Sequence, residues 1–157
     1  MPYYSIYPIM FLDIWYFDGW VWNLLVGDNV ILSFSVFKEK IESGEKTQTI
    51  RRYSPFQWKR FRNAKKYQLY WGNPRNGGTL IKEVEPSMPP FLIAFNNSDR
   101  EPNINILGAS HDQPLIPMDY FAHCDGFRNA KEMFDWFYQK YGYKMYQTKF
   151  MVLRWKP

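Results

Sequence analysis

Gly44-Glu45-Lys46-Thr47-Gln48-Thr49-Ile50-Arg51-Arg52 is the stretch on which the fold turns. It follows a short amphipathic segment, Val36 to Ser43, in which Phe37 and Ile41 face inward while Lys38, Glu39 and Lys40 face water. From Thr47 to Arg51 polar and apolar side chains alternate, as they do along a half-buried strand. The stretch therefore reads as the junction of a helix and a strand. Gly44 supplies the left-handed geometry that ends the helix, and Lys46, Thr49, Arg51 and Arg52 are held by regular elements on both sides. A basic turn leading into a strand is also a commonplace structural feature, so residue types alone leave its purpose open.

The charge is segmental. Ten Lys and Arg residues and no acid lie between Lys46 and Lys82, in a chain whose net charge is +5. Ser54-Pro55 caps and starts a helix over 56–66, where Lys59, Arg60, Arg62, Lys65 and Lys66 are interleaved with Phe56, Trp58 and Phe61. Such a run is either a solvated face or, with no acids to compensate it, a phosphate-contacting surface. Tyr67–Trp71 alternates as a strand. Gly72-Asn73-Pro74-Arg75-Asn76-Gly77-Gly78 is a turn, and Thr79–Glu85, Phe91–Phe95 and Ile104–Leu107 resume as strands on either side of Met88-Pro89-Pro90 and a polar loop over 96–103. Pro117–Cys124 predicts a short helix, and Asn129–Tyr141 a longer one with Ala130, Met133, Phe134 and Phe137 at core spacing and Gly142 as its stop. Thr148–Trp155 closes the sheet.

Taken as G-x-K-x-x-T-x-R behind an amphipathic helix, the opening stretch resembles the signature of the ASCH-domain family, a branch of the PUA-like β-barrels. The surroundings match in order and spacing. Ile31-Leu32-Ser33-Phe34-Ser35 precedes the helix and Tyr67-Gln68-Leu69-Tyr70-Trp71 follows it. Phe121-Ala122-His123-Cys124-Asp125-Gly126-Phe127 comes later, and the closing strand ends Leu153-Arg154-Trp155. The resemblance spans residues 30 to 155. It implies an α+β fold: a PUA-like β-barrel, a curved and mostly antiparallel sheet with flanking helices, over residues 29–157.

Residues 1–28 fall outside the resemblance. Asp18-Gly19 between Ile14-Trp15-Tyr16-Phe17 and Trp20-Val21-Trp22-Asn23 predicts an N-terminal β-hairpin extension with cross-strand aromatic contacts, which caps the barrel or forms an oligomer interface. Asp13, Asp18 and Asp28 interrupt this apolar stretch, so neither a signal peptide nor a membrane span is expected. Aromatic residues make up 20% of the 157, which asks for a core or a binding surface built from rings. The single cysteine, Cys124, fits a reducing, cytoplasmic setting. With His111 and His123 it makes no ligand set at zinc spacing, so no metal and no cofactor is expected.

Two classes of function follow. In PUA-like folds of this branch the resemblance implies a cleft between barrel and helices, lined by the G-x-K-x-x-T-x-R segment. Some members resemble amidohydrolases that remove the acetyl group from N4-acetylcytidine, with a lysine, a threonine and an acidic residue as the working set. Those roles fall on Lys46, Thr49 and Asp125, the last standing where the hydrolase branch has glutamate. A threonine hydroxyl needs a base within hydrogen-bond reach. A lysine serves as that base only if desolvation or nearby positive charge, such as Arg51, brings its pKa down from about 10.4. Asp125 would oppose that shift, so orienting the amide or shuttling its proton suits it better.

The second class is a binding module for RNA or a modified nucleoside in a cationic cleft around residues 44–52. There Lys46, Arg51, Arg52, Arg60, Arg62 and Arg75 meet phosphates and Thr49 hydrogen-bonds a base or ribose. Trp58, Tyr70 or Trp71 stacks on an exposed base, each stack contributing about 1–3 kcal/mol. Other members resemble single-strand ribonucleases, for which the two histidines here offer little. No membrane partner is expected.

Overall fold

The structure, a computed structural model, describes residues 29–96, 103–109 and 116–157. The aromatic hairpin expected within 1–28, the loop over 97–102 and His111 lie outside the described residues. The chain is α+β. It runs through β1 (Asn29–Phe34), α1 (Lys38–Ser43), β2 (Gln48–Arg52), α2 (Pro55–Arg62) and β3 (Lys66–Trp71). A 3₁₀ turn (Pro74–Asn76) leads to β4 (Thr79–Val84), β5 (Phe91–Asn96) and β6 (Asn103–Leu107). Next come α3 (Met118–Cys124), α4 (Ala130–Tyr141), a 3₁₀ stretch (Gly142–Gln147) and β7 (Lys149–Arg154). No helix among the described residues is long and apolar enough to cross a membrane.

The strands form two sheets, one in the order β1-β3-β4 and one in the order β2-β7-β5-β6. All pairings are antiparallel except β1 with β3, which run parallel with Leu32 opposite Leu69. Among the described residues no single barrel closes. One seam is nevertheless bonded: Pro86 bridges Trp155, Ser87 N–H donates to the Arg154 carbonyl and Lys156 N–H to the Glu85 carbonyl. At the other seam the edge strands β1 and β2 share no ladder. There the Arg51 guanidinium donates to the Ser33 carbonyl at 2.7 Å, giving an edge carbonyl the partner that a neighbouring strand would have supplied.

β7 explains why the two sheets belong together. Its sequence, KFMVLR, is buried along almost its whole length, as a strand covered on both faces must be. Phe150 and Val152 join one core with Ile93, Phe95, Phe121, Phe134 and Phe137, so α3 and α4 cover this face. Met151 and Leu153 join the other core with Val30, Leu32, Tyr67, Leu69, Ile41 and Phe61, which fills the space between the sheets and beneath α1 and α2. The period-2 alternation of a strand divides its side chains between these two cores.

The first core is a cluster of rings. Phe95 lies 5.0 Å from Phe134, 4.8 Å from Phe137 and 5.2 Å from Phe150, mostly edge to face, the arrangement that ring quadrupoles favour. Much of the high aromatic content is spent here, fixing α4 against the four-stranded sheet.

Candidate functional site

The Gly44–Arg52 junction forms as its sequence dictates. Gly44 ends α1 at φ 83 with its N–H on the Ile41 carbonyl, and β2 follows four residues later. The segment between is tied to the C-terminal end of α3. Thr47 N–H donates to the Cys124 carbonyl at 2.9 Å, Gln48 Nε2 to the Phe121 carbonyl at 3.1 Å, and Lys40 Nζ to the Gly126 carbonyl at 2.8 Å. Lys46 donates to the Asp125 carbonyl as well. Free carbonyls at a helix C-terminus carry partial negative charge, and two lysines converge on them here.

Lys46 also pairs with the Asp125 carboxylate, Nζ to Oδ1 at 2.5 Å. Both residues are deeply buried, Lys46 3% and Asp125 4% exposed. The ammonium lies 5.3 Å from the Phe37 ring and 5.8 Å from the Phe34 ring, so its remaining surface meets aromatic faces. Burial pulls the Lys46 pKa below its ordinary value and Arg51 adds a smaller push in the same direction, while the contact with Asp125 opposes both. Burial likewise raises the Asp125 carboxyl, against Lys46, Arg51 and the Ile50 N–H, all of which favour the carboxylate. That N–H belongs to an outer edge of the sheet, because among the described residues β2 pairs only with β7, and Asp125 satisfies it.

Local backbone geometry closes this cage. Phe37 enters α1 at φ 65, the one non-glycine residue with positive φ among the described residues. Left-handed backbone at such a residue costs about 1–3 kcal/mol. Contact of its ring with Phe127, at 5.0 Å between centroids, offsets that cost. Gly126, at φ 95, sits against it: an added Cβ would stand 3.0 Å from the Phe37 ring and 3.4 Å from the Lys46 stem.

Thr49 and Arg51, two apart on β2, reach a different place. They line a cavity of about 280 Å³ together with Ser33, Phe34, Arg52, Gln57, Trp136, Lys140 and Tyr141 among others. The cavity opens at the seam between β1 and β2 and is walled on one side by the C-terminal half of α4. Among the described residues its lining contains three cationic side chains, three aromatic rings, several hydroxyls and no acid. Arg51 is half-buried, its guanidinium carbon 5.2 Å from the Phe34 ring and its Nε without a hydrogen-bond partner. Desolvation brings the Arg51 pKa down to about 10. Burial raises the Tyr141 phenol, while Arg52 and Arg51 both pull it the other way, which puts all three groups within electrostatic reach of one another.

No family model, characterised protein or solved structure matches the chain.

The residues expected to form one catalytic set therefore divide. Lys46 and Asp125 are in contact, but neither lines the cavity; Thr49, 6% exposed, lies on its wall. Of the expected binding residues, Arg51 and Arg52 line the cavity, whereas Trp58, Arg60, Arg62, Tyr70, Trp71 and Arg75 do not. On α2, Arg60 covers the Phe56 ring at 5.8 Å and Arg62 the Trp58 ring at 5.9 Å, so these cations are partly engaged with their own helix. Trp71 and Trp58 pack against the core between the sheets, which removes part of each ring from any ligand. Arg75 is exposed on the 3₁₀ turn, and His123 is exposed on α3.

Sequence reasoning missed Trp136, Lys140 and Tyr141 on α4, and Gln57 on α2. The signal for the first two was the i, i+4 spacing of Trp136 and Lys140, which puts a ring and a cation side by side on a helix; Lys140 Nζ indeed lies 4.5 Å from the Trp136 ring.

Proposed function

We propose that the chain binds RNA or a nucleoside in the cavity between β2 and α4, and that its two bonded sheets are an open variant of the PUA-like barrel that the ASCH resemblance implies. The observation that carries this reading is the lining: Arg51, Arg52 and Lys140 beside Phe34, Trp136 and Tyr141, with no carboxylate among the described residues that line it. Cations for phosphate, rings for a base, and Thr49, Ser33 and Gln57 for polar edges are the parts from which single-stranded nucleic acid sites are built. At about 280 Å³ the cavity lies just below the usual range for ligand pockets, which suits one nucleoside better than a longer segment.

Amidohydrolysis by Lys46, Thr49 and Asp125 draws less support. The ammonium and the carboxylate occupy each other, and both lie away from the cavity wall. A base must reach the proton it removes.

The test is titration of a short single-stranded RNA at several salt concentrations. Wild-type affinity should fall as salt rises, and Arg52→Ala, an exposed position at the end of β2, should weaken binding about tenfold and flatten the salt dependence by roughly one phosphate contact. Binding that ignores both salt and Arg52 would remove the basis for the proposal.

A further inference from the structure

We infer that the cavity takes a nucleotide bearing a terminal phosphate, held between Arg52 of β2 and Lys140 of α4, rather than a neutral nucleoside. This rests on the nucleic-acid reading above and narrows its ligand to a phosphomonoester.

Arg51, Arg52 and Lys140 share the lining of one small cavity to which, among the described residues, no acid contributes. A neutral nucleoside would leave Arg52 and Lys140 with no counter-charge in the lining, while Asp125, outside the cavity, offsets part of the charge of Arg51. A terminal phosphate brings close to two negative charges and three acceptor oxygens.

The three cations are not equivalent. Arg51 is already committed on one side, donating Nη2 to the Ser33 carbonyl, and is half-buried, with an unpartnered Nε. It serves as a fixed positive wall. Arg52 and Lys140 are both exposed. The Lys140 ammonium now rests over Trp136 at 4.5 Å and Tyr141 at 5.6 Å. These contacts hold it at the cavity without consuming its hydrogen-bonding capacity, since a ring face accepts the charge but forms no strong hydrogen bond. Lys140 is thus a cation kept available for an anion.

The same rings that park Lys140 give a sugar or base something to lie against once the lysine turns to the phosphate. Trp136 and Tyr141 sit on the α4 side, Phe34 on the β1 side, and Thr49 and Gln57 offer polar groups. One nucleotide needs this combination. Inorganic phosphate would need only the cations.

The experiment is calorimetric titration of the full chain with the four ribonucleoside 5′-monophosphates, the four nucleosides and inorganic phosphate, repeated with Lys140→Ala and Lys140→Arg. A monophosphate should bind at least about tenfold more tightly than its nucleoside, and Lys140→Ala should remove most of that difference. Lys140→Arg should restore the preference, because the charge returns.

Equal affinity for nucleosides and monophosphates would overturn the phosphate subsite and leave the nucleoside reading intact. Inorganic phosphate binding as tightly as any monophosphate would overturn the nucleotide assignment. A salt-sensitive response to RNA with no response to any mononucleotide would overturn this inference and move RNA binding to another surface. Silence towards RNA, nucleosides and monophosphates alike would defeat both this inference and the reading beneath it.

Discussion

Replacing Lys46 with methionine is expected to destabilise the fold by about 3–5 kcal/mol, read from denaturant unfolding, because it leaves the buried Asp125 carboxyl without its cation. Asp125→Asn should cost a similar amount for the converse reason. The double variant Lys46→Met/Asp125→Leu should recover most of the loss, since removing both charges removes both desolvation penalties.

The two single variants should also respond to pH in opposite directions. In Asp125→Asn, burial and smaller pushes from Arg51 and Lys40 all lower the Lys46 pKa, and the largest influence raising it is gone. The unfolded chain then binds the proton more readily than the folded one, so stability rises with pH until the unfolded lysine value near 10.4 is passed. In Lys46→Met, Asp125 loses the charge that most strongly lowered its pKa. The folded state then holds the proton more tightly, so this variant is most stable in acid, below the unfolded carboxyl value near 3.9, and loses stability as pH rises through the elevated folded value. Flat profiles in both variants would mean that neither group titrates in a buried setting.

Phe137→Ala is the second large effect expected, a loss of about 3–5 kcal/mol in chemical or thermal unfolding. Phe137 is 2% exposed, and its ring meets Phe95 at 4.8 Å, Trp136 at 5.0 Å and Phe150 at 5.5 Å. It also stacks on Tyr141 at 6.0 Å. Truncation leaves a hole where several rings converge, and a ring cluster collapses poorly around a missing member. The consequence reaches the cavity, because α4 carries Trp136, Lys140 and Tyr141 to its wall. Ligand affinity in Phe137→Ala should therefore fall even at temperatures where the variant remains folded. Full wild-type affinity would show that α4 does not shape the site.

The elements were legible in the sequence because they rest on local patterns. Alternation marked the strands, Gly44 ended α1, and Asn129, whose side chain accepts from Glu132 N–H, started α4 where the polar residue ahead of an apolar period predicted it. The pairing of strands was not legible. β1 runs parallel to β3 across an intervening helix, strand and helix, and nothing in either apolar run distinguishes that partner from an antiparallel one. For the same reason the expected single curved sheet was found as two sheets joined at Pro86 and Trp155.

The candidate site divides along the same line. Lys46 and Asp125 were named from the resemblance, and they do touch, although they are 79 residues apart. Thr49 and Arg51 share a strand face, as period-2 reasoning gives directly, but Ile50 and Arg52 line the cavity as well, so it follows the strand's edge rather than one face. What escaped was the contribution of α4. Its apolar positions at 130, 133, 134 and 137 indicate which face packs inward, but where the flanking Trp136 and Lys140 arrive depends on how the helix crosses the sheet. Phe37 escaped too, since an aromatic residue in left-handed backbone is imposed by tertiary contact against local preference.

The proposed nucleotide site between β2 and α4 can be mapped by two-dimensional NMR of the backbone amides during titration with ribonucleoside monophosphates. Perturbed amides should concentrate at Ser33–Val36, Thr49–Arg52 and Trp136–Tyr141, which with Gln57 supply the cavity lining. Perturbations confined to the basic face of α2, around Lys59 to Arg62, with these three segments unchanged, would contradict that site.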